Sequence, residues 1–69
     1  MDETAARANV RRLLLSADNT IKNRSEPERF NRARVRVEEA RAVAEAAGLV
    51  DALVVIDRRL TDFGADDGA

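Results

Sequence analysis

Asn9, Arg12, Ser16, Asn19 and Asn23 recur at spacings of three and four residues. On a helix that spacing draws amides, a hydroxyl and a guanidinium into one stripe. Such a stripe can hold the backbone of an extended peptide, or a carboxylate through arginine. An ordinary solvated helix face has the same appearance. Catalysis has less to work with. The chain contains no histidine, cysteine or tyrosine, so its nucleophiles are Ser16, Ser25 and threonines with no evident activating base. Glu38 and Glu39 are adjacent and point in different directions on a helix. Zinc sites and Glu-x-x-His di-metal sites need residues that are missing, and Asp66-Asp67-Gly68 is too short for a calcium loop. The expectation is a non-enzyme with no catalytic residue, cofactor or metal.

Nucleic-acid chemistry is also thin. RFNRARVR supplies Arg29, Arg32, Arg34 and Arg36, but Arg34 points away from Arg32 and Arg36 on a helix, and Glu38 and Glu39 follow. A helix-turn-helix reading of Val43 to Val54 would put Val50, Asp51, Ala52, Val55 and Ile56 in the groove, with almost no base- or phosphate-binding groups. Twelve basic residues face thirteen acidic ones, so no whole-molecule field favours a polyanion. Asn23-Arg24-Ser25 matches a glycosylation sequon, which carries no meaning without a secretory signal. The N-terminus does not run from basic to apolar, and no apolar stretch approaches the roughly 20 residues of a membrane span. A cytoplasmic protein without membrane contact is expected.

The elements that position these groups are helices. Ala6, Val10, Leu13, Leu14, Ala17 and Ile21 share one face of a helix over 4–23. Phe30, Ala33, Val37, Ala40, Ala44 and Ala47 do so over 26–47, and Leu49, Leu53, Ile56, Leu60 and Phe63 over 50–63. Asp2 or Thr4 suits the first N-terminus. Ser25-Glu26-Pro27-Glu28 reads as a capping box with proline in the first turn. Gly48 suits a left-handed helix end with Leu49 as its apolar contact, and Gly64 ends the third helix in the same way. Glu3–Arg7, Asp18–Lys22 and Arg41–Glu45 are helix-favouring pairs. The fold class is all-α: a three-helix bundle, or a helical hairpin plus a third helix, with antiparallel neighbours. One domain spans 1–64, and 65–69 form a disordered acidic tail.

Alanine is unusually frequent in the second helix, where VEEARAVAEAAG spends apolar positions on the smallest side chain. Opposite its main stripe lie Val35, Ala42 and Ala46, with Val43 beside them. Alanine on two sides fits a helix packed closely by two neighbours; alanine is also the best helix former and fills exposed positions. The third helix carries Val50, Val54 and Val55 in excess of one seam, and exposed apolar patches mark interfaces. A chain of this length gains little from one core and has no disulfide. Together these features predict a homo-oligomer, with a dimer favoured, contacting through Val35, Ala42, Val43, Ala46, Val50, Val54 and Val55.

FNRARVRVEEARAVAEAAG, with Phe30 leading the small–large–small series Ala33, Val37 and Ala40, resembles the second helix of a tetratricopeptide-type repeat. LVDALVVIDRRLTDF resembles the next helix, so the likeness spans Phe30 to Phe63. The first helix departs from the pattern: RRLLLSADNTIKN carries no aromatic, and the Asn23–Arg29 connection is long. The resemblance implies close stacking of the second helix on both sides and peptide binding through the first helix, at Asn9, Arg12, Ser16, Asn19 and Asn23. The functional expectation is a protein–protein interaction or assembly module that self-associates through its second and third helices. A peptide-binding helical adaptor is the alternative, and a nucleic-acid-binding regulator the less favoured one.

Overall fold

A computed structural model describes the backbone of residues 2–68 and the side chains of residues 2–63. Among the described residues the chain forms three helices and no strand: α1 (Glu3–Lys22), α2 (Arg29–Ala47) and α3 (Val50–Gly68). The all-α three-helix arrangement expected from the spacing is the one adopted. α2 lies in the middle, packed on α1 along one side and on α3 along the other, while α1 and α3 scarcely approach each other. With extents of 36 × 22 × 12 Å, the helices form a bent layer.

The core follows the stripes. Ala6, Val10, Leu13 and Ala17 of α1, Ala33, Val37, Ala40 and Ala44 of α2, and Leu49, Ile56 and Phe63 form one buried cluster. All four α2 residues are fully buried, which accounts for half of the alanine pattern: a helix covered on both flanks needs small side chains there. Ala42 and Ala46 lie on the opposite side and are exposed. Neighbouring helices run antiparallel, so α1 and α3 run parallel, and ion pairs tie them at both ends. Arg7 meets Asp51 at 2.9 Å and Arg59 meets Asp18 at 2.8 Å. Asp18 thus takes Arg59 across the layer, not Lys22 on its own helix as its spacing suggests. Glu3–Arg7 and Arg41–Glu45 form as expected, at 3.6 and 2.8 Å, and Arg41 also reaches Asp57 of α3 at 2.9 Å.

Three boundaries differ from expectation. Asp2 is the N-cap of α1 without a side-chain cap; its carbonyl accepts the Ala6 N–H at 2.9 Å. α2 begins at Arg29, not at 26, because the turn is organised by other atoms. Ser25 Oγ donates to Asn23 Oδ1 at 2.7 Å, while the Glu26 carboxylate accepts the Glu28 N–H at 3.1 Å. Pro27 therefore sits in the turn before the helix. α3 runs through Gly64 to Gly68, where a stop at Gly64 and a disordered tail over 65–69 were expected. Glycine inside a helix costs about 1 kcal/mol but does not end it by itself. Ala69, the last tail residue, lies outside the described residues.

Gly48 behaves as expected. It has φ 69° and ψ 30°, and its N–H donates to the Glu45 carbonyl at 3.2 Å, while the Leu49 N–H reaches the Ala44 carbonyl at 2.9 Å. This pair of bonds satisfies carbonyls at the end of α2 and turns the chain so that Leu49 enters the core. The Leu49 carbonyl then accepts the Leu53 N–H and starts α3.

Candidate functional site

Helix geometry divides most side chains of the α1–α2 hairpin between two faces, with Arg11 and Leu15 bordering both. On α1, Asp18 points to α3, and Ser16, two residues earlier, points to the other side. On α2, Arg34 lies over the Phe63 ring of α3 at 6.0 Å, and Arg36 points away. Ser16 and Arg36 belong to an open furrow of about 990 Å³ lined only by α1, α2 and the turn between them.

Four of the five residues of the polar stripe line this furrow: Arg12, Ser16, Asn19 and Asn23. Asn9 stands outside it, with its Oδ1 accepting from Arg12 Nη2 at 3.4 Å. Tertiary structure adds what the stripe alone lacked. Arg11 joins from α1, Arg32 and Arg36 join from α2, and Leu15 and Val35 supply apolar surface between them. Leu15 is 57% and Val35 52% exposed. In the sequence Arg32 and Arg36 share one helix face and are followed by Glu38 and Glu39. Only the antiparallel pairing of α1 and α2 brings them opposite Arg11 and Arg12.

The furrow is electropositive although the chain has a net charge of −1. Glu26 is the one carboxylate in its lining. Arg32 lies 3.8 Å from Glu26, and Arg36 lies 3.6 Å from Glu39 on its own helix. Contacts of that length leave guanidinium donors for a ligand carboxylate. Arg11 makes no ion pair among the described residues.

A smaller groove of about 320 Å³ runs between α1 and α3, lined by Val10, Leu14, Leu15 and Ala52 and flanked by Arg7, Asp18 and Arg59. Arg7 and Arg59 in its lining make the ion pairs that join α1 to α3. The hydrogen bond from Arg7 holds the Asp51 carboxyl below its ordinary pKa, and that same bond raises Arg7. Arg41 is raised in the same way by its hydrogen bond to Asp57. Among the described residues no group of three or more His, Cys, Asp or Glu side chains stands ready for a metal, and no helix is long and apolar enough to cross a membrane.

The residues expected at a self-association interface do not form one patch. Val35 faces the α1–α2 furrow. Val43 is half-buried and packs against the core. Ala42 and Ala46 are exposed on the outside of α2. Val50 and Val54 are 71% and 67% exposed and lie one turn apart on an edge of α3. Val55, 52% exposed, lies about 100° around the helix from Val54. Val35 lies about 18 Å along α2 from the C-terminal end of that helix, near which α3 begins with Val50. No protein-family model matches the chain, and no curated protein and no solved structure matches it either.

Proposed function

We propose that this chain is a non-catalytic protein–protein interaction module whose recognition surface is the α1–α2 furrow. One observation carries the reading: two exposed apolar side chains, Leu15 and Val35, lie among four arginines and the polar groups of Ser16, Asn19 and Asn23. Apolar anchors in a rim of directional donors are what a bound protein segment needs. No lining residue is aromatic, so bases would find no stacking platform and a nucleic-acid ligand is disfavoured. The test is selection from a displayed random-peptide library, followed by binding of the enriched clones to Leu15→Glu and Val35→Glu. Clones that bind the parent and lose both variants support the furrow. An empty selection, or clones indifferent to both substitutions, overturns it. Tighter binding of a single-stranded oligonucleotide that fades steeply with salt transfers the furrow to nucleic acid.

Self-association is a second reading, favoured by the exposure of Val50 and Val54. Two valines one turn apart and more than two-thirds open to solvent are an apolar edge for a second subunit. The mass in solution across a concentration series tests it. A monomer of 7.6 kDa throughout, unaltered by Val54→Lys, removes it.

A further inference from the structure

We infer that the furrow receives an acidic amphipathic helix of another protein, one whose apolar stripe is bordered by carboxylates on both sides. This rests on the furrow being a docking surface and adds the chemistry of its occupant. The lining itself calls for acid. Arg11 and Arg12 stand on α1 and Arg32 and Arg36 on α2, while the one carboxylate of the lining, Glu26, lies in the connecting turn at one end. Arg11 makes no ion pair among the described residues, and Arg12 donates to the Asn9 amide oxygen at 3.4 Å. Although the chain as a whole carries a net charge of −1, such a patch attracts an acidic partner locally.

The closed face of the same hairpin supplies the form. There α3 lays Leu49, Ile56 and Phe63 into the core, with Asp51 bonded to Arg7 of α1 and Asp57 to Arg41 of α2. One ion pair runs the other way, from Arg59 of α3 to Asp18 of α1. The lining of the open face holds no aspartate, so its occupant needs acids where α3 mixes acids with a base. Donors on two walls also favour a helix over an extended segment. A strand turns one row of side chains toward a surface. A helix turns several adjacent rows, apolar residues onto Leu15 and Val35 and a carboxylate row toward each wall.

From Ala8 to Asn23 the furrow extends about 22 Å along α1, the length of about fifteen helical residues. The third helix of a second copy does not meet this description. Its free edge continues from Val50 and Val54 to Arg58 at a spacing of four, which would set a guanidinium against guanidinium groups. Its Asp51 and Asp57 are already bonded within their own chain. The occupant is therefore a different protein.

The probe is a fluorescent synthetic peptide of about fifteen residues, with leucines at alternating spacings of three and four and glutamates on both sides of the leucine stripe. Three companions carry glutamine in place of glutamate, lysine in place of glutamate, or the same residues scrambled so that no stripe forms. By fluorescence anisotropy the acidic amphipathic peptide should bind the parent at least about tenfold more tightly than the glutamine or scrambled peptide. Its binding should weaken as salt rises from about 50 to about 500 mM. Arg12→Glu and Arg36→Glu should each lose about tenfold, while Arg58→Glu, the same charge reversal at an exposed position of α3, binds as the parent does. Helical circular dichroism verifies the fold of each variant. The deciding pair is the double variant Arg12→Glu/Arg36→Glu with the lysine peptide, which should bind that variant more tightly than it binds the parent. Equal binding of the scrambled peptide overturns the helix. Equal binding of the glutamine peptide, or an equal loss with Arg58→Glu, overturns recognition of acid by the furrow. If the acidic peptide does not bind, the inference falls; clones from the peptide selection that still depend on Leu15 and Val35 would then keep the furrow as a docking surface, and an empty selection would remove both. A single-stranded oligonucleotide that binds the furrow more tightly than the acidic peptide overturns the inference as well.

Discussion

On one face of the α1–α2 hairpin, Leu49, Ile56 and Phe63 join Val10, Leu13 and Val37 in a sealed cluster. On the other, Leu15 and Val35 remain open between arginines. Both faces combine apolar residues with guanidinium groups. They differ in what those groups meet. Toward α3, Arg7 and Arg41 each find an aspartate on the opposing helix at 2.9 Å. In the furrow, Arg32 and Arg36 find only glutamates of the adjoining turn or their own helix, at 3.8 and 3.6 Å. The closed face shows how this hairpin receives a helix, and the open face presents the same equipment without one.

The comparison can be broken most forcefully at Ile56, one of the two largest fully buried side chains. Ile56→Ala removes most of its burial and leaves a cavity, with an expected loss of about 3 kcal/mol. A domain of this size has roughly 3–10 kcal/mol in total, so the urea midpoint followed by helical circular dichroism should collapse toward zero denaturant. A midpoint near that of the parent would mean that α3 is not held by this seam. Ala40→Leu tests the close packing of α2 from the opposite direction. Added methylenes in a sealed core should cost about 2 kcal/mol, and an unchanged midpoint would show room that full burial denies.

Gly48→Ala isolates the turn that aims Leu49 and α3 at the closed face. An added Cβ meets no atom within 4 Å, so the expected cost, about 1 kcal/mol, is that of the left-handed backbone alone. Asp51→Asn probes the tie between α1 and α3. The carboxyl titrates below its ordinary value of 3.8 in the folded chain, so its stabilisation is fully present above that value and is lost as pH falls through the lower folded value. Unfolding curves of the parent should weaken in that acidic window, and those of Asp51→Asn should be flatter across it. An identical acid dependence would show that the ion pair contributes nothing to stability. Arg36→Ala on the open face should have the smallest effect, within about 0.5 kcal/mol. A larger loss would make the furrow part of the scaffold.

The spacing of apolar residues determined three helices, their buried faces and the Gly48 turn, because helix periodicity and glycine's left-handed conformation are local properties. The same local reasoning misplaced the start of α2. Whether Ser25 or Glu26 caps a turn depends on side-chain geometry that the residue types alone do not specify. Local reasoning also paired Asp18 with Lys22, because it has no access to an Arg59 forty-one positions away. The alanines of α2 illustrate the division. Residue type made them good helix formers at every position, and tertiary packing decided that Ala33, Ala40 and Ala44 are core while Ala42 and Ala46 meet solvent. The furrow divides in the same way: its polar stripe on α1 was legible as a run of side chains on one helix. Its arginines from α2 and its apolar floor exist as a site only because an antiparallel hairpin sets two distant segments side by side, and charge and shape across a groove belong to that arrangement and not to either strip of sequence.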